Sequence, residues 1–110
     1  MSAERDIKRE ILDALHAAGI IAFRVQSGKV KVRGGWMHLA PEGTPDIVAI
    51  VPPHGRFLGL EVKTDDGTER PGQLDFAKGA RRHGAAVCTV RSPVEAIRAW
   101  SAAKARQGST

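Results

Sequence analysis

A single cysteine, Cys88, is the whole thiol complement of these 110 residues. It cannot form an internal disulfide, which fits a reducing compartment, so the expected location is cytoplasmic. No apolar run approaches the ~20 residues that span a bilayer, so no membrane partner is expected. The opening residues Met1 to Asp6 lead into an amphipathic segment rather than an unbroken apolar one, and no secretory signal is expected. His16, His38, His54 and His83 lack the His-Xaa-Xaa-His or Cys-paired spacing of a zinc site. No glycine-rich loop has the form of a phosphate cradle, which argues against a nucleotide cofactor. Ser27 lacks the context of a nucleophile elbow. Internal repeats and long linkers are also missing, leaving one domain over residues 1–110.

What the chain does have is positive charge. Lys and Arg number 17 against 12 Asp and Glu, giving a net charge of +5 and a pI near 10.0. Such an excess favours a polyanionic partner. Hydrophobic residues at 42% and charged residues at 26% are ordinary for a globular domain.

Periodicity gives the order of elements. Residues 4–18 carry Ile7, Ile11, Leu15 and Ala18 at helical spacing, with Gly19 as the stop. Ile20 to Val25 reads as a strand. Lys29 to Arg33 alternates basic and apolar residues, and Gly34-Gly35 followed by Trp36 to Leu39 suggests a hairpin with one basic face. Asp46 to Val51 and Arg56 to Lys63 are apolar on both faces, as central strands are. Thr64 to Arg70 is a polar loop, and Pro71 opens a helix running to about His83. Ala85 to Val90 is a further strand. Ser92-Pro93-Val94-Glu95 is a capping box for a last helix, with a polar tail expected from about Lys104. Together these predict an α/β domain with a mixed sheet covered by helices.

The chemistry concentrates between Asp46 and Lys63. If Pro52 to Gly55 is a hairpin loop, Val51 faces Arg56, and counting back along both strands sets Asp46 opposite Glu61. Lys63 lies two residues beyond Glu61 and points the same way. Like charges opposed on a sheet repel, so two acids there need a reason. A divalent cation supplies one, because Mg²⁺ takes oxygen ligands and commonly one or two protein carboxylates. Such an ion polarises a phosphoryl oxygen, while Lys63 positions or deprotonates the attacking water. The alternative is a surface ion pair between Glu61 and Lys63, with Asp46 merely starting a strand.

At ~100° per residue, Glu4 falls within the apolar stripe of the first helix, Glu10 lies off it, and Asp6 and Asp13 lie further away. A carboxylate on a core-facing stripe calls for a partner or a cation. Glu4 also reads as a favourable charge at a helix N-terminus.

Gly43-Thr44-Pro45-Asp46, an apolar strand, a turn, and then Phe57-Leu58-Gly59-Leu60-Glu61-Val62-Lys63 resemble the PD-(D/E)XK nuclease signature. Gln73 in the next helix and Gly84 before a strand resemble the VRR-NUC branch, the virus-type replication-repair nucleases common in phages and prophages. The resemblance runs from Glu4 to about Trp100. It implies a restriction-endonuclease-like fold and a Mg²⁺- or Mn²⁺-dependent endonuclease that hydrolyses DNA phosphodiesters. It further implies a homodimer, Holliday-junction-resolvase-like structure specificity, and a phage or prophage gene in a bacterial host. Residue by residue, it implies Asp46, Glu61 and the Val62 carbonyl as metal ligands and Lys63 as the catalytic lysine. Glu4 would be the helix-one acid, with Glu10 as the alternative, and Gln73 would line the site. Arg70-Pro71-Gly72 departs from the pattern, which expects a serine-led cap before Gln73.

Arg24, Lys29, Lys31 and Arg33 are candidate phosphate contacts, the alternative being a charged edge that blocks strand pairing. Arg81 and Arg82 read as complements to a helix dipole. Trp36 reads as a core or dimer-contact residue ahead of a base-stacking one. Cys88 reads as a buried small residue. The rival to the nuclease reading is a non-catalytic nucleic-acid-binding module on the same fold.

Overall fold

Two apolar strands, joined by a loop from Pro52 to Gly55, form the middle of the protein. In the computed structural model, which describes residues 3–64, 67 and 70–108, these are β4 (Ile47–Val51) and β5 (Arg56–Val62). Before them come α1 (Ala3–Ala17), β1 (Ala22–Arg24), β2 (Lys29–Val32) and β3 (Gly35–His38). After them come α2 (Pro71–Arg82), β6 (Ala86–Val90) and α3 (Pro93–Gly108). Asp65, Asp66, Thr68 and Glu69 of the expected polar loop lie outside the described residues.

The main sheet has the order β1-β4-β5-β6. β1 and β5 run antiparallel to β4, and β6 runs parallel to β5. A parallel neighbour needs a crossover, and α2 is that crossover. The expected mixed sheet flanked by helices is therefore present. Val51 pairs with Arg56 and Ile47 with Leu60, the register that the loop length requires.

Alternation along these strands divides the sheet into two faces. Ile47, Ala49, Val51, Leu58, Leu60 and Val62 turn to a core completed by Ile11 and Leu15 of α1 and by Ala96 and Ala103 of α3. Each large apolar side chain fully buried there contributes about 1.5–3 kcal/mol relative to exposure. The opposite face holds Glu61. There Phe57 packs on Phe76 of α2 with ring centroids 6.3 Å apart.

α3 continues to Gly108 instead of fraying at Lys104. Its alanines are strong helix formers, and Ala103 is fully buried. Trp100 Nε1 donates to the Ile50 carbonyl at 3.1 Å, and Arg56 donates to the carbonyls of Gly84 and Ala103 at 2.8 and 3.2 Å. At the helix start Glu95 N–H donates to Ser92 Oγ at 3.2 Å. The Glu95 carboxylate accepts from Arg91 N–H at 2.9 Å, one residue before the cap.

β2 and β3 form a separate two-stranded sheet, exposed along its whole length. Arg33 lies in its turn rather than in the strand, because Gly34 and Gly35 supply the positive φ angles that reverse the chain. Trp36 is 56% exposed and so is not a core residue. Among the described residues, no helix is long and apolar enough to cross a membrane.

Two glycines set the approach to β4. Gly43 has φ of +90°, and a Cβ there would collide with the backbone carbonyl of Gly72 at the start of α2. Gly59 leaves a notch filled by buried Pro45, whose Cγ would lie 2.5 Å from an added Cβ. Gly59→Ala should therefore destabilise the fold by about 1–3 kcal/mol, the usual scale of overpacking. Gly43→Ala should cost at least as much, since it adds left-handed backbone strain to a backbone collision. Urea denaturation midpoints at unchanged m-value measure both losses.

Candidate active site

Pro45 cannot donate to a ladder, so regular pairing of the β4 strand begins at Ile47 and leaves Asp46 at its threshold. In that position Asp46 Oδ2 accepts a hydrogen bond from Val62 N–H at 2.8 Å. The carboxylate thus continues the β4–β5 ladder by one rung. The Asp46 carbonyl accepts from Val25 N–H at 2.8 Å on the other side. Asp46 is tied to both neighbouring strands, at the register position facing Glu61.

Glu61 is only 3% exposed, with both carboxylate oxygens buried, and it pairs with Thr89 of β6. Lys63 is 6% exposed. Its backbone N–H donates to the Val90 carbonyl at 3.1 Å, and its side-chain stem runs beside Gly67. Burial at this level is rare for Glu and Lys unless partners or ions compensate. Continuing the β4–β5 register by one residue sets Asp46 opposite Glu61, and Glu61 and Lys63 are both buried rather than a solvated surface ion pair.

Other expected site residues are placed as follows. Glu4 is partly buried near the start of α1, while Glu10 is exposed. Among the described residues, no three His, Cys, Asp or Glu side chains gather into an ion-holding group. Glu4 is therefore not drawn into a cluster with Asp46 and Glu61. Gln73 lines a cleft of about 320 Å³ together with Asp46, Ser27, Gly28, Glu42 and Thr44. Its Oε1 accepts from Arg70 N–H at 3.0 Å, so Gln73 itself caps α2 where a serine-led cap was expected. Arg24 ends β1, Lys29 and Lys31 lie on β2, and Arg33 sits at the hairpin tip.

Three residues of this region escaped the sequence reading. Lys8 Nζ lies 3.3 Å from Asp46 Oδ1. Its signal was available, because position 8 falls at the edge of the helical stripe that holds Glu4, Ile11 and Leu15. Glu42 brings a further carboxylate into the cleft one residue before Gly43. Arg91 donates through Nη1 to the Thr64 carbonyl and through Nη2 to the Gly67 carbonyl at 3.1 Å. Its forked guanidinium braces the backbone that covers Lys63, and no local motif announces that role.

Two carboxylates and the neighbouring Val62 carbonyl form a hard oxygen donor set. The fixed Asp46 and the buried Glu61 suit a small divalent cation whose remaining positions are filled by water and substrate.

No family model matches this sequence, and no curated protein matches it. Among solved structures, one described as a VRR_NUC domain aligns with a TM-score of 0.62 at 22% identity, covering 89% of this chain and 94% of that one. Such mutual coverage at low identity means that the arrangement of elements is shared while most side chains differ. Over most of its length the chain therefore has the fold of that VRR_NUC domain structure, a mixed sheet flanked by helices.

Proposed function

We propose that this protein is a metal-dependent DNA endonuclease that hydrolyses phosphodiester bonds at the Asp46–Glu61–Lys63 end of the β4–β5 hairpin. The observation that carries this reading is the fixed Asp46 carboxylate, bonded to Val62 N–H at the position facing buried Glu61, within a VRR_NUC fold. Asp46, Glu61 and the Val62 carbonyl would hold Mg²⁺ or Mn²⁺. A bound ion would supply Lewis-acid stabilisation of the charge that develops on the phosphoryl oxygens.

The chain's own residues do the rest. Lys63, two residues beyond Glu61 on the same strand end, donates from its ammonium to orient the attacking water. Its methylenes are covered by Gly67, and Arg91 fixes that cover, so the ammonium has a restricted range of positions. Gln73 lines the cleft through which substrate reaches Asp46. Arg24, Lys29, Lys31 and Arg33 supply positive charge along the approach for the DNA backbone.

The protein acts as a homodimer, so that two sites serve two strands of a branched substrate. The hairpin face bearing Val30, Val32 and Met37, each at least 36% exposed, is the contact between copies. Charge is absent from that face, as it is from the centres of most stable interfaces.

Three outcomes follow. With Mg²⁺ or Mn²⁺ the protein should cut branched DNA, and EDTA, Asp46→Ala or Lys63→Ala should each lower the rate at least a hundredfold; salt-sensitive binding with no cutting would establish the non-catalytic module instead. Lys8→Met keeps the methylene stem but removes the ammonium that shares Asp46 Oδ1. It should tighten Mn²⁺ binding roughly fivefold in calorimetry without DNA, the size of a ~1 kcal/mol repulsion. Unchanged or weaker Mn²⁺ binding would mean that the ammonium and the ion do not compete. Met37→Glu should shift sedimentation from dimer to monomer, and a monomeric parent chain would remove the interface altogether.

A further inference from the structure

Between Asp13 and Glu42 the chain contains no acidic residue, yet it carries Arg24, Lys29, Lys31 and Arg33. The centre of this stretch is the β2–β3 hairpin. Its root is fixed by backbone bonds from Gly28 N–H to the Ala40 carbonyl at 2.9 Å and from Leu39 N–H to the Gly28 carbonyl at 2.8 Å. The molecule measures 49 × 30 × 26 Å, and the hairpin is a separate ribbon whose strands pair only with each other.

The register sorts the ribbon's side chains. Lys29 faces His38 and Lys31 faces Trp36, so these four share one face. Val30 faces Met37 and lies on the other, with Val32. Trp36 is thus on the charged face, apart from the apolar side chains suited to a second copy. The Lys29 ammonium sits 4.9 Å from the Trp36 ring centroid, a cation–π pair that caps one side of the indole and steadies it. An aromatic ring among lysines on an exposed ribbon is the arrangement by which proteins hold unstacked bases: phosphates meet the cations and a base lies on the ring.

The ribbon also leads to the chemistry. Ser27 and Gly28 at its root line the cleft that contains Asp46. Trp36 stands three residues from Leu39 at that root, or about 10 Å along a strand. That is a span of a few nucleotides.

We infer that Trp36 is a base-stacking, specificity-determining residue, and that the Lys29–Lys31–Trp36–His38 face selects DNA carrying unpaired nucleotides next to the cut site. In an intact duplex every base already stacks on its neighbours, so the indole finds a partner only at a flap, gap or branch. This assignment rests on the nuclease reading for its link to cutting, but the binding it describes needs no metal.

The test uses the full chain in EDTA. Fluorescence anisotropy compares a duplex with the same duplex bearing a single-stranded arm. The parent protein should prefer the armed DNA. Trp36→Ala should weaken armed-DNA binding roughly tenfold, the scale of one base–aromatic stack, while duplex binding changes less than about twofold. Trp36→Phe should keep most of the preference. A double Lys29→Ala, Lys31→Ala variant should weaken both substrates and flatten the salt dependence. Indole emission should be quenched by armed DNA in the parent and unchanged in Trp36→Ala, where Trp100 remains.

Equal losses on both substrates, no loss, or a change in sedimentation in place of a change in preference would overturn the assignment. An armed-DNA preference in a protein that never cuts would sink the nuclease reading and leave this one standing. Cutting with no dependence on Trp36 would do the reverse.

Discussion

The Asp46 carboxylate is both a structural and a chemical group. One oxygen takes the place of a backbone carbonyl by accepting Val62 N–H, and the other meets the Lys8 ammonium. The first bond locks the carboxylate against β5 and so sets it against Glu61. The second links the site to α1, whose Ile11 and Leu15 belong to the core. A hydrogen bond to a charged acceptor contributes about 1.5–3 kcal/mol, more than a neutral one, so this corner of the sheet is stiff where chemistry needs it. Pro45 and Gly59 complete the fixture, since the proline ring occupies the space that a side chain on residue 59 would take.

A second set of contacts governs Lys63. A lysine at 6% exposure keeps its ammonium in place only if the backbone above it is held down. Arg91 does this from the end of β6, reaching the carbonyls of Thr64 and Gly67. The parallel β5–β6 pairing makes that reach short, because Val62 and Val90 are register partners and Arg91 follows directly. Besides Gln73 of α2 and the loop carrying Glu42, the site therefore draws on α1 through Lys8, the β4–β5 hairpin, and the β6–α3 junction.

The hairpin shows how much depends on parity. Moving one residue along a strand exchanges its faces, so the separation of Lys29, Lys31 and Trp36 from Val30, Val32 and Met37 needs only the observed register. Residue type alone points Trp36 toward the core, because large aromatics are most often at least partly covered, but it is 56% exposed. The ribbon stands apart from the main sheet, leaving the indole with no core to enter.

Local rules set much of this protein. The loop from Pro52 to Gly55 fixed the β4–β5 register and so the opposition of Asp46 and Glu61, because side-chain alternation propagates a turn length along both strands. The two-sided apolar strands, the helix stops and the mixed sheet were legible for the same reason. The continuation of α3 past Lys104 was not, since the burial of Ala103 comes from packing against distant residues. Lys8 lay within reach of the same angular count that marked Glu4, but its partner Asp46 is brought to it only by the packing of α1 on the sheet. Arg91 and Glu42 depend wholly on that assembly. Short-range geometry is encoded where residues are neighbours in sequence, whereas contacts across 24 or 27 positions, such as those of Arg91 with Gly67 and Thr64, exist only once the sheet has closed.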